Sequence, residues 1–347
     1  MSRRVTLNQV ALHAGVSQSS ASKVFNDRAD VGPETIRKVR QSALELGYRV
    51  PSRKAPSGKV PVWVVVDSIN NLYAPEVLSG MLLEATAGNA TITICQVDSA
   101  SPNPPWTKKW LVDAHRSGAQ AFVFLTTVID AKTLAAANQL DTPLVVVDPV
   151  NRVPDGVVTV GATNFRGGHD AVDHLISLGH RRIAYVGAKS ESTPGGDRLA
   201  GYLDALRRAS LDVDPRLIVP GRFTSEDGHA AAQLLKLPDP PTAVFAASDS
   251  VAFGFYDACH ELGVRIPEDI SVVGFDDGLG GELVWPHLTT VRQPLVEMGR
   301  HAVRSCISAL RSGRPAAPPM ELSTTLVVRG STGPAPQHAV SGEEPPP

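Results

Sequence analysis

Leu7, Val10, Ala11 and Ala14 repeat at i, i+3, i+4 and i+7, a spacing that predicts a short amphipathic helix capped by Thr6. Gly15 ends it, because the chain there needs a backbone conformation that glycine adopts without strain. Ser17 caps a second helix, in which Ala21, Val24 and Phe25 turn inward. A third opens on Gly32-Pro33, with proline in the first turn, and runs through Ile36, Val39, Ala43 and Leu46 to a glycine stop at Gly47. Residues 1–49 therefore read as a three-helix domain with a helix-turn-helix at its start.

Beyond residue 61 the period changes. Continuous apolar runs recur as "VWVVVD" (62–67), "ATITICQV" (90–97), "AFVFL" (121–125), "PLVVVD" (143–148), "RIAYVG" (182–187), "TAVFAASD" (242–249) and "ISVVGFDD" (270–277). Helical segments such as "GGHDAVDHLISLG" and "LAGYLDALRRASL" separate most of them. Apolar strands alternating with helices predict parallel sheets covered on both faces, and residues 62–333 hold enough chain for two such α/β lobes. Between head and lobes, residues 50–61, "VPSRKAPSGKVP", have the Pro, Ser and basic content of a linker. Residues 334–347, "PAPQHAVSGEEPPP", read as a disordered tail.

With its apolar face inward, the second helix leaves Gln18, Ser19, Ser22 and Lys23 projecting. Serine is an indifferent helix former, so a face rich in it calls for a reason. Short hydroxyl and amide groups with one cation suit a helix in a DNA major groove, where they donate to and accept from base edges. Charge points the same way. Residues 1–60 carry 11 Lys and Arg against 4 Asp and Glu, and the remaining 287 carry 22 against 31. A basic head on an acidic body fits a polyanionic partner. The plain alternative is a small polar bundle that binds nothing.

Other classes lose ground. No apolar run approaches the roughly 18 to 20 residues of a membrane span. The opening "MSRRVTLNQ" lacks the apolar core of a signal peptide, so a cytoplasmic protein is expected. Cys95, Cys259 and Cys306 are far apart, outside any metal-ligand spacing, and read as reduced packing residues. "GLGGEL" (278–283) lacks the spacing of a dinucleotide fingerprint, and no G-x-S-x-G elbow occurs. His169 and His174 are five apart and read as a solvated helix face rather than a zinc pair. Neither an enzyme nor a bound cofactor or metal is expected.

Taken in order, "VALHAGVSQSSASKVFN", "VGPETIRKVRQSALELGYR", "HLISLGHRRIAYVG", "DRLAGYLDAL", "GVRIPEDISVVGFDD", "PHLTTVRQP" and "LVVRGSTGP" resemble the lac repressor/galactose repressor (LacI/GalR) family of bacterial transcription regulators, over about 330 residues. The resemblance implies an α/β chain. A helix-turn-helix head and a hinge would precede a two-lobed body like a periplasmic binding protein, with Rossmann-like parallel sheets. It implies a homodimer or tetramer reading a palindromic operator in double-stranded DNA, with affinity set by a small molecule, a sugar by the chemistry below. Gln18, Ser19 and Lys23 match base-reading positions, and Thr6, Ser17, Ser22, Asn26 and Thr35 match phosphate-touching ones. The family's commoner arrangement is repression relieved by a sugar.

The ligand is expected between the lobes, outside the carboxyl ends of the strands. Ser68, Asp148, Ser248 and Asp276 stand at such ends, and Arg198, Phe223 and Tyr73 join them by resemblance or chemistry. Carboxylates and a guanidinium bond vicinal hydroxyls while an aromatic ring packs on a sugar's apolar face. Asp148 and Asp276 could instead cap the next helix or loop, Tyr73 and Phe223 could belong to the core, and Trp285 is expected to pack beside Pro286 rather than line the cleft.

The chain departs from the family pattern in four places. Lys23 replaces a common arginine, losing the fixed fork to guanine. Ser248 stands where asparagine is frequent, and Thr163-Asn164 replaces an Asp-Asn pair. The hinge offers no leucine wedge, and Pro56 falls where its helix would continue. An extended hinge holding phosphates through Arg53, Lys54 and Lys59, with little bending of the operator, is the expectation. A transport-type sugar-binding protein remains the rival reading, and the basic head argues against it.

Overall fold

The computed structural model describes residues 5–25, 31–46, 58–97, 106–188, 192–278, 280–312 and 318–336. Asn26, Gly47, Arg53, Lys54 and the part of the tail from residue 337 lie outside the described residues, as does most of the expected linker. The chain forms two compact units, Met1–Ser57 and Gly58–Pro347.

In the first unit, α1 (Leu7–Ala14), α2 (Gln18–Phe25) and α3 (Pro33–Leu46) form as the pattern predicts. Thr6 and Gln9 make a reciprocal capping box, and Gly15 closes α1 at φ 66°. The Ser20 amide donates to Ser17 Oγ at 3.0 Å, which caps α2. Val10, Ala11, Ala21, Val24, Val39 and Ala43 make the small core, with Phe25 only partly covered.

The second unit begins with β1 (Val60–Val66), which takes in two residues assigned above to the linker. There follow α4 (Ala74–Ala87), β2 (Ala90–Gln96), α5 (Lys108–Arg116), β3 (Ala121–Leu125), α6 (Ala131–Gln139), β4 (Leu144–Val147) and β5 (Val158–Ala162). The chain then crosses to a second lobe for α7 (Asn164–Ser177), β6 (Ile183–Ala188), α8 (Thr193–Arg208), β7 (Ile218–Gly221), α9 (Ser225–Ala231), β8 (Ala243–Ala246), α10 (Asp249–Leu262), β9 (Ser271–Asp276) and β10 (Thr289–Arg292). It returns for α11 (Leu295–Ser312) and β11 (Met320–Leu322), and crosses again into β12 (Thr325–Val327). The sheets run β11-β5-β4-β3-β1-β2 and β12-β10-β9-β8-β6-β7. All neighbours are parallel except the antiparallel pair of β10 and β12.

Both faces of each sheet are covered. Val62, Val64 and Val66 join the core under α4 and α11, while Val65 joins the Trp106, Phe122 and Phe124 cluster on the other face. The covering helices pack in pairs at close range. A Cβ on Gly80 or Gly299 would strike the backbone across the α4–α11 contact, as would one on Gly168 or Gly201 across α7–α8.

Three segments join the lobes, after β5, after β10 and after β11. Two of them are laced together: the Thr324 amide donates to Thr163 Oγ1 at 3.0 Å, and the two hydroxyls lie 3.0 Å apart. Ala335, assigned above to the tail, donates its amide to the Leu178 carbonyl at 2.9 Å. His174 also departs from the solvated reading, with Nε2 3.0 Å from Thr332 Oγ1.

Candidate functional site

Parallel strands in a lobe end on one side of their sheet, and non-glycine residues with left-handed backbone collect there. Thr126 follows β3 at φ 50°, Asp148 follows β4 at φ 42°, Phe223 follows β7 at φ 67°, and Asp276 ends β9 at φ 117°. Such conformations cost on the order of 1–3 kcal/mol each and persist where surroundings fix them, commonly at ligand sites.

Asp148 and Asp276 do not cap helices. Asp148 is 4% exposed, and Tyr73 Oη, from the residue before α4, donates to its Oδ2 at 2.6 Å. Burial pushes the Asp148 carboxyl above the usual carboxylate range, against the pull of the Tyr73 hydrogen bond and Arg198. Burial, followed by the Asp148 charge, raises the Tyr73 phenol far above its ordinary value. Tyr73 also packs against the lobe core, in keeping with the core reading of this residue.

Arg198 is 3% exposed on α8. Its Nε donates to Asn164 Oδ1 at 2.8 Å, and Nη1 donates to the Ala247 carbonyl and lies 3.6 Å from Asp276 Oδ1. The guanidinium stands 3.8 Å from the Phe275 ring centre and 5.3 Å from that of Phe223. Burial pushes the Asp276 carboxyl up to about 6, opposed by Arg198 and by Gln293, whose Nε2 donates to Oδ1 at 2.7 Å. Asp148 and Glu76 add repulsion.

The structure thus brings together Tyr73 with Asp148, and Arg198 with Asp276 and Phe223. Two expected site residues are spent locally. Ser68 Oγ accepts from the Asn70 amide at 3.1 Å within its own turn. Ser248 is buried as the cap of α10, accepting from the Val251 amide at 3.3 Å, with its hydroxyl 3.5 Å from the Phe223 carbonyl. Trp285 is 83% exposed, edge-on to His287, rather than packed away.

Sequence reasoning missed three residues. Asn164 orients Arg198, and Gln293 anchors Asp276. Asp249 lies buried behind the site, accepting from Thr290 Oγ1 at 2.6 Å and from the Gly278 amide at 3.1 Å. Burial and the Asp276 charge hold its carboxyl well above the usual range. The available signal was position: Gln293 directly leaves β10 at a lobe crossing, and Asn164 opens α7 with only Thr163 between it and the end of β5.

On the head, Gln18, Ser19 and Lys23 are exposed along α2, while Ser22 and Thr35 are half-buried. Ser17 Oγ lies 2.8 Å from both Ser19 Oγ and Ser20 Oγ. Thr6 is engaged in its capping box, its hydroxyl donating to Gln9 Oε1 at 3.1 Å.

A helix-turn-helix head joined to a two-lobed body with polar groups gathered at its strand ends defines a DNA-binding regulator of the periplasmic-binding-protein-like class. Residues 6–51 match the model of the bacterial regulatory proteins of the lacI family, and residues 172–332 match that of the periplasmic binding protein-like domain. The chain is 30% identical over 334 residues to the HTH-type transcriptional regulator RegA of Clostridium saccharobutylicum, covering 94% of this chain and 99% of that one. Among solved structures, the complex of the transcriptional regulator CelR with cellobiose is similar at TM-score 0.70 and 30% identity, covering 94% and 100% of the two chains. The lac repressor dimer bound to operator and the anti-inducer ONPF is similar at TM-score 0.69 and 25% identity, covering 95% and 100%. The chain belongs to the LacI family of bacterial transcriptional regulators, and so it is not an enzyme.

Proposed function

We propose that this regulator is a repressor in the cytoplasm, and that a sugar bound between its lobes lowers its affinity for a palindromic operator. The observation that carries the reading is the buried Arg198–Asp276 pair at the strand ends, tied through Gln293 to a lobe crossing. Hydroxyls engaging these groups favour one arrangement of the lobes, and a ligand shifts an equilibrium only through such differential contacts. The CelR complex with cellobiose supports a sugar.

The working unit is a homodimer. In lobe one, α4 leaves Leu82 and Leu83 exposed, and the edge strand β2 exposes Ile94. In lobe two, Leu283 is 83% exposed beside the equally exposed Trp285. Apolar side chains at this exposure suit a two-fold related copy, and such a dimer presents two heads to two half-sites. On the head, Gln18, Ser19 and Lys23 read bases, while Thr6, Ser17, Ser22, Asn26 and Thr35 contact phosphates, with Arg53, Lys54 and Lys59 adding backbone contacts.

Selection of bound sequences from random duplex DNA at fixed salt tests this, using the full-length chain and residues 61–347. A palindrome enriched by the full chain alone is expected. Equal enrichment by the shorter chain removes the head as reader.

A further inference from the structure

Among the described residues, the acceptors gathered at the strand ends surround one buried cation, Arg198. Asp148 and Asp276 are almost fully buried at the strand ends, and Asp197 is half-buried one residue before Arg198. The cation acting on all three is Arg198, and its Nε and Nη1 are already committed to Asn164, the Ala247 carbonyl and Asp276. Glu76 and Glu321 add negative charge to this field.

An independent observation concerns unpaired groups. Among the described residues, two buried side-chain polar atoms have no hydrogen-bond partner, Gln293 Oε1 and Thr127 Oγ1. Both residues lie just beyond the carboxyl ends of strands, β10 and β3. The Gln293 amide is oriented by its neighbour, since the Asp276 carboxylate needs the N–H and leaves the oxygen outward from that bond. The Thr127 hydroxyl can donate or accept, but the Gln293 oxygen only accepts; a buried acceptor without a donor is costly, and a ligand hydroxyl or N–H satisfies it. A phosphate or carboxylate offers the Gln293 oxygen no donor and sets a like charge against Asp148 and Asp276.

Resting on the cleft as the effector site, we infer that the effector is a hydrogen-bond-donating polyol without an anionic group, neutral or bearing an amine, and that its phosphorylated or carboxylated forms are rejected. A phosphoryl-transfer reaction acting on the effector therefore ends the signal instead of generating it.

Calorimetric titration of the full-length chain with matched pairs tests this. The pairs are cellobiose and cellobionate, ribose and ribose 5-phosphate, glucosamine and glucosamine 6-phosphate, and adenosine and its monophosphate. The expected result is binding of at least one uncharged or amine-bearing member, with its anionic counterpart at least 100-fold weaker. Arg198→Met and Asp276→Asn, checked for retained folding by thermal melting, should both lose that binding. An anionic member binding as tightly as its parent, and losing affinity in Arg198→Met, overturns the inference while leaving the cleft in place. Binding unchanged in both variants overturns the cleft reading itself, and no binding across the panel counts against both.

Discussion

Gln293 and Asp276 are joined twice: Gln293 Nε2 donates to Asp276 Oδ1 at 2.7 Å, and the Gln293 amide donates to the Asp276 carbonyl at 3.1 Å. Asp276 ends β9 in lobe two, and Gln293 begins the crossing from β10 to α11 in lobe one. A ligand that engages the carboxylate therefore acts on a segment whose path changes when the lobes move. Replacing Gln293 by Met keeps the volume and removes the side-chain link. The expected outcome is a ligand-induced change in operator affinity reduced about tenfold, the worth of one charge-assisted hydrogen bond of roughly 1.5 kcal/mol. Operator titrations with and without saturating ligand check this.

Arg198→Met should separate the two activities. Removing the guanidinium leaves Asn164 Oδ1 and the Ala247 carbonyl without their donor and Asp276 without its cation, at a cost of about 3 kcal/mol or more in stability. Ligand response should disappear. Operator binding should persist, because none of these groups belongs to the head. Chemical denaturation and gel-shift titration of the same preparation give both readings.

Asp276 makes the ligand-free chain sensitive to pH in an unusual direction. Its carboxyl is raised to about 6, whereas an unfolded aspartate titrates near about 3.9. Between these values the folded chain holds a proton that the unfolded chain has released, so this group's contribution to stability falls as pH rises through the window. Asp276→Asn is neutral throughout. Its stability relative to the unsubstituted chain should therefore grow from little at pH 4 to about 1–3 kcal/mol at pH 7.5. Paired melting curves at the two pH values test the slope, and a constant difference would contradict it.

Close helix packing sets the position of Arg198. A Cβ on Gly168 would run into the backbone of Arg198 itself, because α7 and α8 meet there without side chains between them. Gly168→Ala should force α8 outward, lowering stability by about 1–3 kcal/mol and weakening ligand binding, though residue 168 is not among the proposed ligand contacts. Ligand affinity unchanged in a variant of reduced stability would show that Arg198 is positioned from elsewhere.

Much of this architecture was legible in the residue pattern. Thr6, Gly15 and the apolar stripe gave α1, and apolar runs gave seven strands, most of them buried on both faces and so without polar alternation, with β2 at a sheet edge. β5, β7, β10, β11 and β12 escaped: they are three to five residues long, and β7 carries Pro220 at a sheet edge, where a missing ladder donor is tolerated. Asp148, Arg198 and Asp276 were readable from strand ends and the family pattern. Asn164, Gln293 and Asp249 were not, since their roles arise from partners 34, 17 and 41 positions away. Ser248 shows the converse, a polar residue whose hydroxyl is used to cap α10.

The central claim, that occupancy of the cleft controls DNA binding, is tested most directly by the operator Kd of the full-length chain at fixed salt, with and without a saturating cleft ligand. A Kd raised roughly 10- to 100-fold is expected, a coupling of about 1.4–2.7 kcal/mol. A ligand that binds through Arg198 and leaves the operator Kd unchanged would contradict it.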